Sequence, residues 1–376
     1  MLIYLGFSAV AVFLAALALL HSGGVSIAAA AHLIFAVGIV PLMFAAISHF
    51  VPVLTRSRAA PRSILLLPLL LQLAGVLTFL AFRGTLPESA LYTAASGTLL
   101  IALLFASWVI RRARATLGRP HPGWQWYLLA IAFLAAALLL IPAMSWWPQA
   151  RPQLRLLHLH LNTLGFIGLT ALGSLQVLLP TALRTPDPGA AQRLRRQLPF
   201  AVGGVLAIAL GAAFWPPLSL AGALVLLLVT VQIARACLTR HGWQGLSADG
   251  AAASLFAALA GFALLLIFGS AHAFSVLDGH DAVPAFVVAF LLPLVSGALS
   301  ELLPVWYRPG RRTPARDRMH VELRRGGALR ALLFLSGGIL LALGMSDGLW
   351  VAAVALLSFT IALLRSLATA RAQNQG

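Results

Sequence analysis

Lysine is absent from the 376 residues, cysteine occurs once, and aspartate and glutamate together number only 9. Each scarcity excludes something. A lone Cys237 forms no internal disulfide, no Cys-x-x-Cys redox pair and no c-type haem attachment, so a bound metal would depend on His, Met or oxygen ligands. Charged residues make up 9% of the chain against 61% hydrophobic residues, and mean hydropathy is +0.95. A soluble core of this size cannot hide that much apolar surface, so the surrounding medium is a lipid bilayer.

What is abundant is the long apolar run. Twelve such stretches are found, at 2–20, 26–54, 63–82, 90–110, 124–147, 156–182, 198–215, 217–239, 252–277, 283–307, 327–345 and 347–369. Each is long enough to cross a hydrocarbon layer of roughly 30 Å at roughly 1.5 Å per residue. The first lacks the basic n-region and small-residue cleavage site of a signal peptide and is read as a helix. The expected fold is therefore an all-α integral membrane protein of about twelve transmembrane helices, forming a single transmembrane domain over 1–376.

The net charge of +17 comes entirely from 26 arginines, which stand between the apolar stretches. This placement is topological, and nucleic acid is not an expected partner. Arginines cluster after the second, fourth, sixth, eighth and tenth stretches, including eight from Arg308 to Arg330. Only Arg83, Arg151 and Arg155 fall in the alternate loops. The positive-inside rule then puts both termini in the cytoplasm. A bacterial-type inner membrane is the expected location. The segment 308–326 reads as a short Arg-rich loop.

The second, sixth and tenth stretches share a pattern. Pro52 precedes Arg56, Pro180 precedes Arg184 and Pro304 precedes Arg308 by the same four positions. His32 and His160 each stand twenty positions before their proline. Self-similarity at a fixed period is a fold-level signal, and it predicts three pseudo-symmetric four-helix repeats near 1–119, 120–245 and 246–376.

With even helices running inward, the pattern places His32, His158, His160, His272 and His280 in the outer leaflet. His32 is expected about two turns into its helix, while His158 and His160 open theirs. Intramembrane ionisable residues are costly, and each is a candidate for function unless it is a satisfied core or interfacial group. Asn162, Thr163, Thr170, Ser174 and Gln176 are candidate partners that would orient the imidazoles, as are Asp278 and Asp281 beside His280. His158 and His160, two apart, point in different directions and suit two sites better than one metal. Gly165, Gly168 and Gly173 either allow close helix packing or make room for a porphyrin face.

Three positions before the repeat proline stand His49, Val177 and Glu301. Glu301 is the one acid in the interior of an apolar stretch, so it is either protonated or paired. The nearest cation in sequence terms is Arg308, seven residues on. The alternative is that His49 and Glu301 mark proton uptake or a second metal site.

The His158-Leu-His160 helix, with its small residues and Pro180, resembles the His-x-His helix of the haem-copper oxidase catalytic subunit, which carries one ligand for each of two haems. His32 with Pro41 and Pro52 is similar to that family's second helix, whose early histidine is the other axial ligand of the low-spin haem. The resemblance implies a haem-binding, possibly haem-copper, oxidoreductase of electron transfer or of nitric oxide or oxygen chemistry. It further implies b-type haem with copper as a second cofactor, His32 and His160 as the axial pair with His158 beside them, and a quinol or cytochrome as electron donor. His272 and His280 are the candidate metal ligands. The departures are specific. The family's His-x-His helix is the tenth and here it is the sixth. The seventh stretch has no histidine pair for copper, and no His-Pro-x-x-Tyr motif occurs. The polytopic NnrS proteins of nitric oxide response, which carry haem and copper, are nearer in size, but their His-Glu-Met element is missing. Two other readings stay open: a transporter or metal-insertion factor moving copper or another ion along a His-lined path, and a cofactor-free assembly partner.

Overall fold

The computed structural model describes residues 1–372, with side chains described through residue 370. Among these the regular elements are all helical, and twelve helical spans are long and apolar enough to cross a membrane. The chain is a multi-pass, all-α membrane protein, as the apolar runs indicate. We number the helices α1 (Leu2–His21), α2 (Ile27–Leu54), α3 (Arg62–Phe82), α4 (Ser89–Arg114), α5 (Gly123–Trp146), α6 (Pro148–Ala182), α7 (Ala190–Phe214), α8 (Pro216–Ala248), α9 (Gly250–Ala273) and α10 (Gly279–Tyr307). The eleventh span is broken at Gly326, where φ is +69°, into α11 (Pro314–Arg324) and α12 (Gly327–Ala342). The last helix, α13, covers Gly348–Ala370.

Two boundaries differ from the sequence reading for physical reasons. The Arg-rich segment after α10 is not a loop. Thr313 caps α11 by accepting a hydrogen bond from Arg316 N, and Ala315, Met319, His320 and Leu323 form its buried face. Helix α6 begins a full two turns earlier than its apolar run, because Pro148 and Pro152 sit in its first turns where a missing N–H costs nothing. His158 and His160 therefore stand about two turns inside α6 instead of opening it.

The three helices that carry the shared proline pattern also share a backbone feature. Each of α2, α6 and α10 widens into a π-helical segment, at Leu33–Ile39, Leu161–Gly168 and Val287–Leu291. In α2 and α6 this segment begins at the residue after the repeat histidine. The same two helices end alike. Arg56 and Arg184 take left-handed conformations, with φ of +48° and +53°. Ser57 N then reaches back to the Pro52 carbonyl and Thr185 N to the Pro180 carbonyl. A side chain in that conformation costs about 1 kcal/mol, so its recurrence 128 residues later is not a local accident. These three helices are also the most buried, at 61%, 83% and 78% of their apolar windows, whereas the remaining spans range from 28% to 56%.

The chain divides into two compact units. The first comprises Met1–Ser174 with Gly189–Leu226; the second comprises Leu175–Pro188 with the chain from Leu227 onward. In the first, α3 packs on the π segment of α2 through Gly75, where a Cβ would lie 2.2 Å from the Ala36 carbonyl oxygen. In the second, α9 meets the π segment of α10 through Gly261, where a Cβ would lie 1.9 Å from the Ala289 carbonyl oxygen. Only glycine allows these backbones to approach.

Candidate functional site

The histidines of the first unit share one feature of hydrogen bonding. His32 Nδ1 is 2.7 Å from the Ala28 carbonyl, and His160 Nδ1 is 2.8 Å from the Leu156 carbonyl, each one turn back on its own helix. His158 Nδ1 is 2.9 Å from the Ala137 carbonyl of α5. A carbonyl oxygen can only accept, so in all three rings Nδ1 carries the proton. In a neutral imidazole this leaves Nε2 as the lone-pair nitrogen. Such a carbonyl is one of the partners that fix a ligating histidine's tautomer and ring orientation.

His32 is further held by Phe82 at the end of α3, whose ring stacks on it with centroids 4.0 Å apart and 19° between planes. His32 and His158 lie close enough to interact electrostatically. His32 and His158 thus stand near one another in the first unit, with Phe82 of α3 against the first and the Ala137 carbonyl of α5 holding the second.

Asn162, Thr163 and Ser174, expected as partners, bond elsewhere. Asn162 Nδ2 donates to the His158 backbone carbonyl, Thr163 Oγ1 donates to the Leu159 carbonyl, and Ser174 Oγ pairs with the Thr170 carbonyl and Tyr127 Oη. Backbone carbonyls hold the imidazoles instead, and sequence offers no signal for them. Nor do Gly165 and Gly173 face a porphyrin. A Cβ at Gly165 would lie 2.8 Å from Phe133 Cβ, and one at Gly173 would lie 2.8 Å from Trp126 Cβ, so both glycines seat aromatic side chains of α5.

In the second unit, His272 Nδ1 bonds the Leu277 carbonyl at 3.1 Å, closing the turn after α9. His280 is exposed, and its backbone N donates to Asp278 Oδ1. The carboxylate thus caps a turn and does not orient a ring. Among the described residues, no three His, Cys, Asp or Glu side chains converge in a way that could hold a metal ion.

Glu301 has a partner, and it is not Arg308. The Arg324 guanidinium of α11 bridges Glu301 of α10 and Asp249, the latter at 2.5 Å, and also reaches the Ala182 carbonyl at 3.4 Å. Asp249 in turn caps α9 by accepting from Ala251 N and Ala252 N, both at 2.9 Å. His320 Nδ1 lies 3.9 Å from Glu301 Oε2. Arg308 instead donates to the Ala370 carbonyl of α13 at 2.9 Å. Sequence reasoning missed Arg324 because it lies 23 residues beyond Glu301, in a segment read as loop. The counterpart position in the first unit, His49, is half-buried beside Phe50, with ring centroids 5.6 Å apart.

No family model and no curated protein matches this chain.

Proposed function

We propose that the chain is a haem-binding membrane protein of electron transfer or of nitric oxide or oxygen chemistry, with its site on the first-unit histidines in the outer leaflet of a bacterial-type inner membrane. The observation that carries this reading is the common tautomer. Three imidazoles, those of His32, His158 and His160, are each held at Nδ1 by a carbonyl, which makes Nε2 the ring nitrogen that would ligate iron or copper. This donor set fits a b-type haem, which needs no covalent attachment and so agrees with the single cysteine. We assign His32 and His158, which stand near one another on α2 and α6, as the axial pair, where the sequence pattern favours His32 and His160. His160, two positions from His158 on the same helix, would serve a second haem or copper. A bound haem would supply one-electron chemistry; the protein's part is to hold the imidazole tautomers and to keep Phe82 against the His32 ring. Relationship to the haem-copper oxidase or NnrS proteins belongs to this same proposal.

A second reading has its own support. The π segments in α2, α6 and α10 interrupt regular hydrogen bonding, and interrupted helices form the ion sites of transporters. On that reading His158, His160, His272 and His280 would relay copper or another ion. A visible absorption spectrum of the detergent-purified protein, produced with haem supplementation, separates the two. A Soret band with stoichiometric haem is the expected result. A featureless spectrum together with copper uptake into proteoliposomes would overturn the haem reading in favour of transport. A featureless spectrum without uptake would leave the cofactor-free assembly partner.

A further inference from the structure

The eight arginines from Arg308 to Arg330 divide into two groups. Three are structural. Arg308 holds the Ala370 carbonyl, Arg324 bridges Asp249 and Glu301, and buried Arg330 donates to the Leu323 and Arg325 carbonyls, both at 2.6 Å, under the Phe359 ring. The other five lie on the surface of α11 and its flanks. Arg312 pairs with Asp317 at 2.6 Å, and Arg316 reaches the Gly310 carbonyl at 3.3 Å. Arg311, Arg318 and Arg325 are exposed.

Their arrangement is that of a helix lying along an interface. Arg318 and Val321 lie three apart on the side of α11 away from buried Ala315, Met319 and Leu323, and exposed Arg311 and Arg325 flank the helix just before its start and just past its end. Val321 is 64% exposed between two guanidinium groups, and Leu329 and Leu332, each 62% exposed, continue the apolar surface into α12. Arg324 fixes the orientation of α11 from beneath, so the face is presented by a rigid element. A charged row interleaved with exposed apolar side chains, directly beside a membrane span, matches the boundary between anionic headgroups and acyl chains.

We propose that the outer face of α11, with Arg311, Arg318 and Arg325, binds the phosphate headgroups of anionic phospholipids in the cytoplasmic leaflet. Arginine suits this ligand because its planar fork can take two phosphate oxygens at once. Val321 and Leu329 enter the acyl boundary beside it. The site is independent of the haem reading and stands if that reading fails.

The test uses the full chain in nanodiscs of phosphatidylcholine alone and of phosphatidylcholine mixed with phosphatidylglycerol. Amide hydrogen exchange over 311–325 is measured by mass spectrometry at low and high salt. The expected result is that phosphatidylglycerol slows exchange by about tenfold at low salt, and that high salt removes most of the slowing. The combined substitution Arg311→Gln, Arg318→Gln and Arg325→Gln should abolish the difference between the lipids, while the corresponding Lys variant should keep part of it. Adding glycerol phosphate to the phosphatidylcholine discs should not reproduce the protection, since the binding face needs a lipid surface. Equal exchange in both lipids for the unaltered chain, or lipid-dependent protection that persists in the Gln variant, would overturn the proposal. If the Gln variant does not fold, the salt dependence of the unaltered chain still decides.

Discussion

The first unit gathers imidazoles and the second gathers charge, although α2, α6 and α10 share one proline and arginine pattern. At the shared position three residues before the repeat proline, α2 carries His49 against an aromatic ring and α10 carries Glu301 under a guanidinium. Twenty residues before the proline, α2 and α6 carry His32 and His160, whereas α10 has Pro284. The π segment recurs in all three. What differs among the three helices is thus the side chains carried beside a shared π segment. The second unit uses its polar groups to tie α6, α9, α10 and α11 together, and in the first, three imidazoles are held by backbone carbonyls.

The sharpest way to break this comparison is to remove Arg324. Its loss leaves Asp249 and Glu301 without the guanidinium that bridges them, and breaking such a buried pair costs about 3 to 5 kcal/mol. Thermal unfolding in detergent should show Arg324→Ala to be more damaging than Glu301→Gln, which leaves the Arg324–Asp249 pair in place. Equal stability of Arg324→Ala and the unaltered chain would mean that the cluster is not structural.

Next in size are the glycines that hold the π segments. Gly75→Ala and Gly261→Ala each drive a methyl into a facing backbone carbonyl, and overpacking of this kind costs about 1 to 3 kcal/mol. Gly203→Ala and Gly269→Ala, which meet nothing within 4 Å, should be neutral or slightly stabilising. The same substitutions sharpen the comparison between units, because Gly75→Ala should disturb the haem spectrum and Gly261→Ala should not.

The smallest effect concerns His121, in the turn between α4 and α5. Its Nδ1 accepts from Gly123 N at 3.3 Å, and its backbone N donates to the Leu54 carbonyl at 2.9 Å. Partial burial, with Arg195 nearby, holds its pKa below the ordinary 6.5. The unfolded chain then takes up this proton more readily than the folded one. Stability should fall as pH drops through about 6.5, and His121→Asn should flatten that fall. A pH slope identical in the two proteins would exclude His121 as its source.

Much of the fold was legible because lipid leaves few alternatives. Apolar runs of membrane length must be helical, and the arginine distribution orders them. The start of α6 was missed because Arg151 and Arg155 are polar, and helix formation there is set by prolines and not by hydropathy. Helix α11 was missed because five of its eleven residues are charged and only its buried face carries an apolar pattern. In the candidate site the histidines could be picked out from their cost in a membrane. The groups that orient them could not. The Ala28, Leu156 and Ala137 carbonyls have no sequence signature, and Phe82 lies fifty positions from His32.

The central claim is that carbonyl-pinned imidazoles of the first unit ligate haem, and the most direct measurement is the reduced-minus-oxidised visible spectrum of purified variants. The low-spin signature should be lost in both His32→Ala and His158→Ala, with the proteins still inserted and folded by circular dichroism. His49→Ala, about 25 Å along α2 by helical rise, should keep the unaltered chain's spectrum. A spectrum that survives both the His32 and His158 substitutions, or that is absent from the haem-supplemented unaltered chain, would contradict the account.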